Sequence, residues 1–240
     1  MPLNTVLKPS YCIDDDTIPD TRNTTSTEHF EIGVDEAGRG PMFGRVYTGA
    51  VVLPKSMEQF NHALMKDSKK FHSEKKIREA ADYIKQHAIA WAVSYADEKV
   101  IDDINIRRAT HKAMHQAIRE ITEKLQLRVK DDNPLNGGQI LILVDGNDFT
   151  AFSYNDTPLS HVCIEGGDNV YSCIAAASIL AKVSRDDYIS ELCTEQPDLI
   201  TRYDLLKNKG YGTKKHMDGI KQYGITPYHR KSFGICRDFA

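Results

Sequence analysis

Residues 29–40 read HFEIGVDEAGRG, so a short apolar segment runs directly into two adjacent carboxylates and then into a Gly-Arg-Gly turn. The segment that begins near His29 predicts a strand leading into Asp35. Neighbouring residues of a strand face opposite ways, so Asp35 and Glu36 can share one site only if the chain bends there. The glycines that follow permit such a bend. This stretch therefore predicts both the start of a sheet and part of a carboxylate site.

Alternating apolar patterns extend this start into an α/β layer architecture. A continuous apolar run at 140–144 is typical of a strand that is buried on both faces of a sheet. Ser73 is positioned to cap a helix whose apolar residues recur at helical spacing. The other predicted elements are strands at 45–53, 90–95 and 160–164, and helices at 103–125 and 170–193.

Charge is distributed unevenly along the 240 residues, although the net charge is only −3. Residues 201–240 carry nine Lys or Arg against three Asp, a balance of +6. A basic end on an acidic chain fits phosphate contacts beside a carboxylate-rich site, and it equally fits a basic face that is simply solvated. Residues 1–28 are polar, lack periodicity and predict a mobile tail.

Several classes of protein are disfavoured by composition. The five cysteines show no CxxC spacing, which argues for reduced thiols and against a structural zinc site. The apolar runs are much shorter than the roughly 20 residues that a membrane span needs. The amino terminus, Met-Pro-Leu-Asn, does not resemble a secretory signal. We therefore expect a soluble cytoplasmic protein, or a nuclear one if the source is a eukaryote or a virus.

Acidic residues stand at the ends of three predicted strands: Asp35 with Glu36, Asp145, and Asp168. Sites form at such strand ends in α/β sheets. Carboxylates gathered there raise one another's pKa unless a cation neutralises them, and their hard oxygens favour Mg²⁺ or Mn²⁺ over zinc. The alternative for each aspartate beside a glycine is an ordinary turn-forming role.

Six motifs follow one another in order: GVDEAGRGP (33–41), DSKK (67–70), VDGN (144–147), GDNVYSCIAAASILAKVSRD (167–186), KGYGTKKH (209–216) and HRKSF (229–233). With this set the chain resembles the type 2 ribonuclease H family, whose bacterial and archaeal form is ribonuclease HII. The resemblance implies a ribonuclease H-like α/β fold, with a mixed five-stranded sheet flanked by helices and a C-terminal helical segment. It suggests three parts: a flexible tail (1–28), a catalytic domain (29–200) and a substrate-binding segment (201–240).

The resemblance also implies an activity. Such enzymes hydrolyse the RNA strand of RNA/DNA hybrids and cut 5′ of single ribonucleotides embedded in duplex DNA, leaving 3′-hydroxyl and 5′-phosphate ends. The implied catalytic and metal-binding residues are Asp35, Glu36, Asp145 and Asp168. They would hold two divalent ions, Mg²⁺ or Mn²⁺, which activate a water and stabilise the leaving 3′-oxygen. We expect a monomer whose partners are these two nucleic acids and not a membrane.

Recognition of the ribose is implied for the backbone of Gly38, Arg39 and Gly40, with Tyr211 stacking at the RNA–DNA junction. Without its flanking motif, Tyr211 is an ordinary half-buried turn tyrosine. Cations in matching motifs are candidate phosphate contacts, although Lys182 is equally an ordinary lysine on a helix surface: Lys69, Lys70, Lys182, Arg185 and Arg230. Asp186 is expected to orient other groups instead of binding metal.

The chain departs from the family pattern at three positions: Gly166 replaces a lysine, Arg45 a proline, and Asn208 a histidine. These departures bear on phosphate contacts, metal preference and rate. Two alternatives stay open at this point. One is a catalytically silent subunit that binds hybrids, and the other is a different nuclease of the ribonuclease H superfamily.

Overall fold

A mixed five-stranded sheet forms the centre of the computed structural model, which describes residues 6–11, 29–128 and 139–240. The strand order is β3-β2-β1-β4-β7, with β1 antiparallel to β2, β2 antiparallel to β3, and β1, β4 and β7 mutually parallel. A separate hairpin, β5-β6, precedes β7. The strands are β1 (Phe30–Ala37), β2 (Val46–Val52), β3 (Ala90–Ala96), β4 (Ile140–Asp145), β5 (Ser153–Tyr154), β6 (Thr157–Pro158) and β7 (Ser160–Ile164). The α/β fold class and the mixed five-stranded sheet are confirmed.

Helices cover both faces of the sheet because its strands alternate two apolar faces. One face packs on α3, and the opposite face packs on α1 and α4. The helices are α1 (Glu74–His87), α2 (Glu98–Ile104), α3 (Ile106–Arg128), α4 (Ser172–Glu195), α5 (Asp198–Tyr203), α6 (Leu205–Asn208) and α7 (Lys214–Tyr223). Ser73 does precede α1, but its side chain makes no capping hydrogen bond. No helix in the described ranges is long and apolar enough to cross a membrane.

Helix α4 lies unusually close to the sheet because two strand glycines face it. A Cβ atom on Gly33 would fall 2.2 Å from the backbone carbonyl carbon of Cys173. A Cβ atom on Gly49 would fall 2.3 Å from the carbonyl oxygen of Ala177. Such distances are far inside van der Waals contact, so any larger residue would push α4 away from β1 and β2. The close approach fixes the position of α4 relative to the end of β1.

Residues 6–11 differ from the predicted tail over 1–28, because they lie against the domain. The Lys8 N–H donates to the Val170 carbonyl at 2.8 Å, beside the start of α4. The Ser10 hydroxyl and the Tyr11 N–H donate to the buried carboxylate of Glu31 at 2.5 and 2.9 Å. A buried carboxylate needs donors, and this segment supplies two of them. The rest of the predicted tail, 1–5 and 12–28, lies outside the described residues.

The C-terminal segment is helical, as predicted, and shares a core with the sheet domain. Helices α5 to α7 are followed by a 3-10 helix, Gly234–Phe239. Buried side chains from this segment, including Ile220 and Cys236, pack with Phe43 and Tyr188 in one apolar cluster. The segment is therefore held against α4 and against the chain that follows β1.

Candidate active site

The predicted carboxylates meet at one edge of the sheet. Strands β1 and β4 are parallel and in register at Val34 and Val144, so Asp35 and Asp145 come next at the same edge. Asp35, Glu36 and Asp145 line one cavity of about 450 Å³. Asp168 lies in a 3-10 turn after β7, and its N–H donates to Asp145 Oδ1 at 3.4 Å. The structure thus brings all four positions together, although Asp168 reaches the group through Asp145.

The bend that the sequence requires begins later than Glu36. Strand β1 stays paired with β2 through Ala37, and the backbone turns at Gly38, where φ is +96°. The Glu36 N–H donates to Asp35 Oδ1 at 2.6 Å, which holds the first carboxylate against the second residue. Both side chains line the same cavity although β1 does not bend between them, which the sequence had not predicted.

Repulsion and burial act together on these acids. Burial, followed by the charges of Glu36 and Asp145, raises the pKa of Asp35 well above its ordinary value, while the Ser178 hydroxyl on α4 opposes the shift. Burial also raises the pKa of Glu36, against the opposing charge of Arg39. For Asp168, burial and then the charge of Asp145 raise the pKa. The site therefore holds more negative charge than its own cations neutralise.

A hard divalent cation fits this donor set. The four side chains offer only carboxylate oxygens, which Mg²⁺ and Mn²⁺ prefer. In the ranges that the structure describes, no group of three or more His, Cys, Asp or Glu side chains is arranged so that it could hold a metal ion. Carboxylates that repel one another are expected to draw together around a cation, since it removes the repulsion that raises their pKa.

The sequence predicted a phosphate contact for Arg230, but the structure buries this side chain, which holds the Gly-Arg-Gly turn from within. Its side chain is fully buried. Its Nη2 donates to the Gly38 carbonyl at 2.6 Å, and its Nη1 donates to the carbonyls of Arg39 and Pro41 at 3.0 and 2.8 Å. Its Nε donates to the Gly44 carbonyl at 2.8 Å. With four of its five N–H groups on backbone carbonyls, Arg230 shapes the turn, and the prediction of a phosphate contact is wrong.

Arg185 is buried behind the same turn. Its Nη2 donates to the carbonyls of Phe43 and Lys209, at 3.2 and 2.8 Å, and so joins the turn to the C-terminal segment. A Cβ atom on Gly38 would fall 2.2 Å from Arg185 Nε, which explains why a glycine stands there. Arg185 also lines the cavity, so its predicted phosphate contact stays a prediction.

The predicted lysines separate into two groups. Lys69 and Lys182 line the cavity, and Lys182 forms an ion pair with Asp186, which lines it as well. Lys70 instead bonds to the side chain of Asn169 and is not part of the cavity wall. Phosphate contacts by Lys69 and Lys182 are compatible with this geometry, whereas Lys70 is turned to a neighbouring side chain.

Tyr211 lies beside the Gly-Arg-Gly turn on the wall of the cavity. Its ring is half exposed, and its Cε1 lies 3.4 Å from the Cβ position of Gly40. The residues of the predicted recognition group all line the same cavity: Gly38, Arg39, Gly40 and Tyr211. The glycine-rich backbone and the aromatic ring therefore form adjoining parts of the cavity wall, next to the carboxylates.

A relay of two buried histidines holds the backbone of Tyr211. His216 Nδ1 lies 3.0 Å from the Tyr211 carbonyl, which can only accept, so Nδ1 carries the proton. The Thr226 N–H donates to His229 Nδ1 at 2.9 Å, so the proton of His229 is on Nε2. His229 Nε2 therefore donates to His216 Nε2 at 3.1 Å. Burial lowers the pKa of both imidazoles, which keeps the relay neutral.

The three departures from the family pattern have local structural roles. Gly166 adopts φ +65°, a left-handed conformation that glycine tolerates best. Asn208 is buried, accepts from the Gly210 N–H at 2.8 Å and donates to the Tyr203 carbonyl at 2.7 Å. The guanidinium of Arg45 stacks over the rings of Tyr95 and Tyr188, at 4.1 and 4.5 Å.

Sequence reasoning missed three kinds of contributor. Ser178 hydrogen-bonds to Asp35, and Asp67 adds charge beside Asp168 and Lys69. The histidine relay was also missed. Asp67 and His229 stand in motifs that had been singled out, DSKK and HRKSF, but nothing in a linear motif shows which atoms a buried ring contacts.

Comparisons with known proteins agree with this geometry. The family model described as Ribonuclease HII matches residues 32–236. A curated ribonuclease HII of Parabacteroides distasonis is 45% identical over 209 residues, which cover 87% of this chain and 92% of the relative. The corresponding protein of Bacteroides thetaiotaomicron is 43% identical over 208 residues, covering 87% and 91%.

Solved structures share the fold. The ribonuclease H2 from Pyrococcus horikoshii aligns with a TM-score of 0.61 at 24% identity, covering 88% of this chain and 96% of that one. The RNase HII in a PCNA:RNase HII complex from Archaeoglobus fulgidus aligns with a TM-score of 0.60 at 22% identity, covering 85% and 95%. Bst-RNase HIII in complex with Mn²⁺ aligns with a TM-score of 0.54 at 18% identity, covering 81% and 70%.

Proposed function

The chain belongs to the ribonuclease HII family and is an endoribonuclease, and we propose that it cuts the RNA strand of RNA/DNA hybrids and also cuts 5′ of single ribonucleotides embedded in duplex DNA. The observation that carries the proposal is one cavity in which carboxylates adjoin a glycine-rich turn and an exposed aromatic ring. The carboxylates suit phosphodiester hydrolysis, and the turn and ring suit the reading of one sugar.

We propose that Asp35, Glu36, Asp145 and Asp168 hold two divalent ions, Mg²⁺ or Mn²⁺. When bound, the ions supply activation of a water and charge stabilisation at the leaving 3′-oxygen. The raised pKa of the buried acids and their all-oxygen donor set support this assignment. The Mn²⁺ in the Bst-RNase HIII complex is a further reason to test manganese beside magnesium.

Selection of the ribose is assigned to the turn and the ring, which adjoin on the cavity wall. Four carbonyls of the turn region are bound to Arg230, so the backbone there cannot rearrange freely. Gly40 has no side chain and is exposed, so a sugar can approach the backbone there closely enough to hydrogen-bond its 2′-hydroxyl. Tyr211 offers a flat face on which a base or sugar can stack. The turn and the ring together therefore favour a nucleotide that bears a 2′-hydroxyl.

Other residues of the cavity position the substrate and the acids. Lys69 and Lys182 provide positive charge for phosphates beside the cut. Asp186 pairs with Lys182 and fixes its ammonium, so we assign Asp186 an orienting role. The Ser178 hydroxyl supports the charged form of Asp35.

A catalytically silent hybrid-binding subunit is the remaining alternative of a different class. Loss of an acid would be its signature, whereas all four acids are present at one sheet edge. Other nucleases of the superfamily are disfavoured by the match to the ribonuclease HII model. A monomeric state and a cytoplasmic location stay predictions.

The test is cleavage of a DNA duplex that contains one ribonucleotide, assayed separately with Mg²⁺ and Mn²⁺. We expect a single cut on the 5′ side of the ribonucleotide, leaving a 3′-hydroxyl and a 5′-phosphate. An all-DNA duplex of the same sequence and a reaction with chelator are the controls. If the protein cuts a long hybrid but leaves this substrate intact with both Mg²⁺ and Mn²⁺, its activity is limited to continuous stretches of RNA.

A further inference from the structure

A second, strongly basic groove lies on the outer side of α3. It has a volume of about 600 Å³ and is walled on one side by Thr150 of the loop that follows β4. Its cations are Arg107, Arg108, Lys112 and Arg119, joined by two histidines and Gln116. We call it the α3 groove.

Most of its charge is not neutralised by the protein. Arg107 pairs with Asp148 at 2.5 Å. In the described part of the chain, Arg108, Lys112 and Arg119 have no carboxylate within ion-pair distance, and all three are exposed. Arg108 and Lys112 are four residues apart on α3, a spacing at which like charges destabilise a helix. An anionic partner would offset that cost.

Specific contacts hold the residues of the groove in place, whereas the side chains of a basic face that is simply solvated need no such contacts. The Thr150 hydroxyl lies 2.9 Å from His111 Nδ1, and His115 Nε2 donates to the Thr150 carbonyl at 2.7 Å. The guanidinium of Arg119 is held over the rings of Phe152 and Tyr154, at 5.5 and 6.0 Å. The loop and the β5-β6 hairpin therefore fix both the wall of the groove and one of its cations.

The same loop connects the groove to the active site. It begins at Asp145, which lines the catalytic cavity, and reaches the groove at Thr150. Five residues of extended chain span at most about 17 Å. The charge of Arg39, on the wall of the catalytic cavity, helps to lower the pKa of Asp148, and Asp148 pairs with Arg107 of the groove. The groove is thus an extension of the catalytic edge.

We propose that the α3 groove binds the sugar–phosphate backbone of the duplex, at a distance of up to about five nucleotides from the cleaved bond. This inference rests on the proposed function. From Arg108 to Arg119 the helix rises about 16 Å, which is the axial length of about five phosphates of one strand at 3.4 Å each. A row of that length exceeds what one small anion needs, and its exposed cations match a continuous polyanion.

The experiment compares duplex binding by variants that keep the active site unchanged. The double substitution Arg108→Ala with Lys112→Ala removes two groove charges. The matched control, Lys75→Ala with Lys76→Ala, removes two exposed charges from α1, on the opposite face of the sheet. Dissociation constants are measured across a salt series with chelator present, on a duplex of about 24 base pairs with one central ribonucleotide.

We expect the groove variant to bind about 10- to 60-fold more weakly near 0.1 M salt, with a salt slope reduced by about one to two, and the control to bind as the unmodified protein does. On a duplex with only about four base pairs on each side of the ribonucleotide, the groove variant should lose less affinity than on the long duplex, because part of the phosphate row that the groove spans is missing. Gln116→Lys should tighten binding to the long duplex, a gain that a folding defect cannot produce.

The outcomes separate the two proposals. Unchanged binding by the groove variant and by Gln116→Lys would overturn the groove assignment, leave the nuclease activity standing and point to a different anionic partner for α3. Equal losses on long and short duplexes would also overturn it, because the effect would then lie at the cut. If the unmodified protein fails to cut while the groove variant still loses duplex binding, the proposed substrate is wrong and the groove assignment survives.

Discussion

Replacing His229 by glutamine should make the protein less stable at neutral pH and less sensitive to acid. His229 is almost fully buried and bridges Thr226 to His216, whose Nδ1–H donates to the carbonyl of Tyr211. Glutamine can still donate toward His216, but it cannot take up a proton in this pH range. The variant therefore removes the titration of the ring while it keeps a donor for His216 and loses the acceptor for Thr226.

The size of the effect follows from the pKa of the ring. Burial, and then the nearby His216, lowers the pKa of His229 to about 3, against about 6.5 in an unfolded chain. Below pH 6.5 the unfolded chain binds a proton that the folded one rejects, so stability falls as the pH falls. The loss is about 1.4 kcal/mol per pH unit and reaches roughly 2.7 kcal/mol at pH 4.5, a large part of a typical 5–15 kcal/mol.

The assay is urea unfolding between about pH 7 and pH 4.5, with unfolding free energies compared at each pH. At neutral pH we expect His229→Gln to be less stable by about 1–3 kcal/mol, since a buried hydrogen bond is lost. That deficit should shrink by about 1.4 kcal/mol per pH unit below pH 6.5. His72→Gln, at an exposed histidine, should run parallel to the unmodified protein. A deficit that stays constant across the series would refute the buried neutral state of His229.

Three further predictions concern the catalytic cavity. Arg230→Lys should lower the unfolding free energy by about 2–5 kcal/mol, because lysine cannot reach four carbonyls. It should also raise KM for single-ribonucleotide substrates. A variant as thermally stable as the unmodified protein would contradict the structural role of Arg230. Tyr211→Ala should impair cleavage at a single ribonucleotide more than cleavage of a long hybrid, and equal losses in kcat/KM on both would count against a junction-reading role. Asp35→Asn should abolish cleavage yet raise the melting temperature of the metal-free protein by about 1–8 °C, since it removes a buried carboxylate that its acidic neighbours repel. The melting temperature is measured by calorimetry in chelator. A lower melting temperature would contradict the repulsion among the acids.

The sheet and its catalytic edge could be predicted because both depend on local patterns. The run at 140–144 is apolar on both sides, and a strand of that kind belongs inside an α/β sheet. Parallel strands end at the same edge, so Asp35 and Asp145 meet once β1 and β4 are neighbours. The prediction did not need the details of packing.

Features that depend on long-range burial could not be predicted. Arg230 stands in a basic, polar motif that reads as surface, and only the fold buries it against a turn that lies more than 180 residues earlier. The docking of residues 6–11 depends on the buried Glu31. A strand pattern shows which face a residue is on, but it does not show that Ser10 and Tyr11 are the donors to this carboxylate. The histidine relay likewise requires knowledge of which ring atoms meet in the core.

The central claim, that the carboxylates at the ends of β1 and β4 perform the cleavage, is tested most directly with Asp145→Asn. Single-turnover cleavage and binding are measured on a duplex with one embedded ribonucleotide. The control is Asp187→Asn, because Asp187 lies on the surface of α4 and pairs with Arg78 of α1. We predict that Asp145→Asn abolishes cleavage with both Mg²⁺ and Mn²⁺ while duplex binding is largely retained, and that the control cuts normally. Undiminished cleavage by Asp145→Asn would contradict the account.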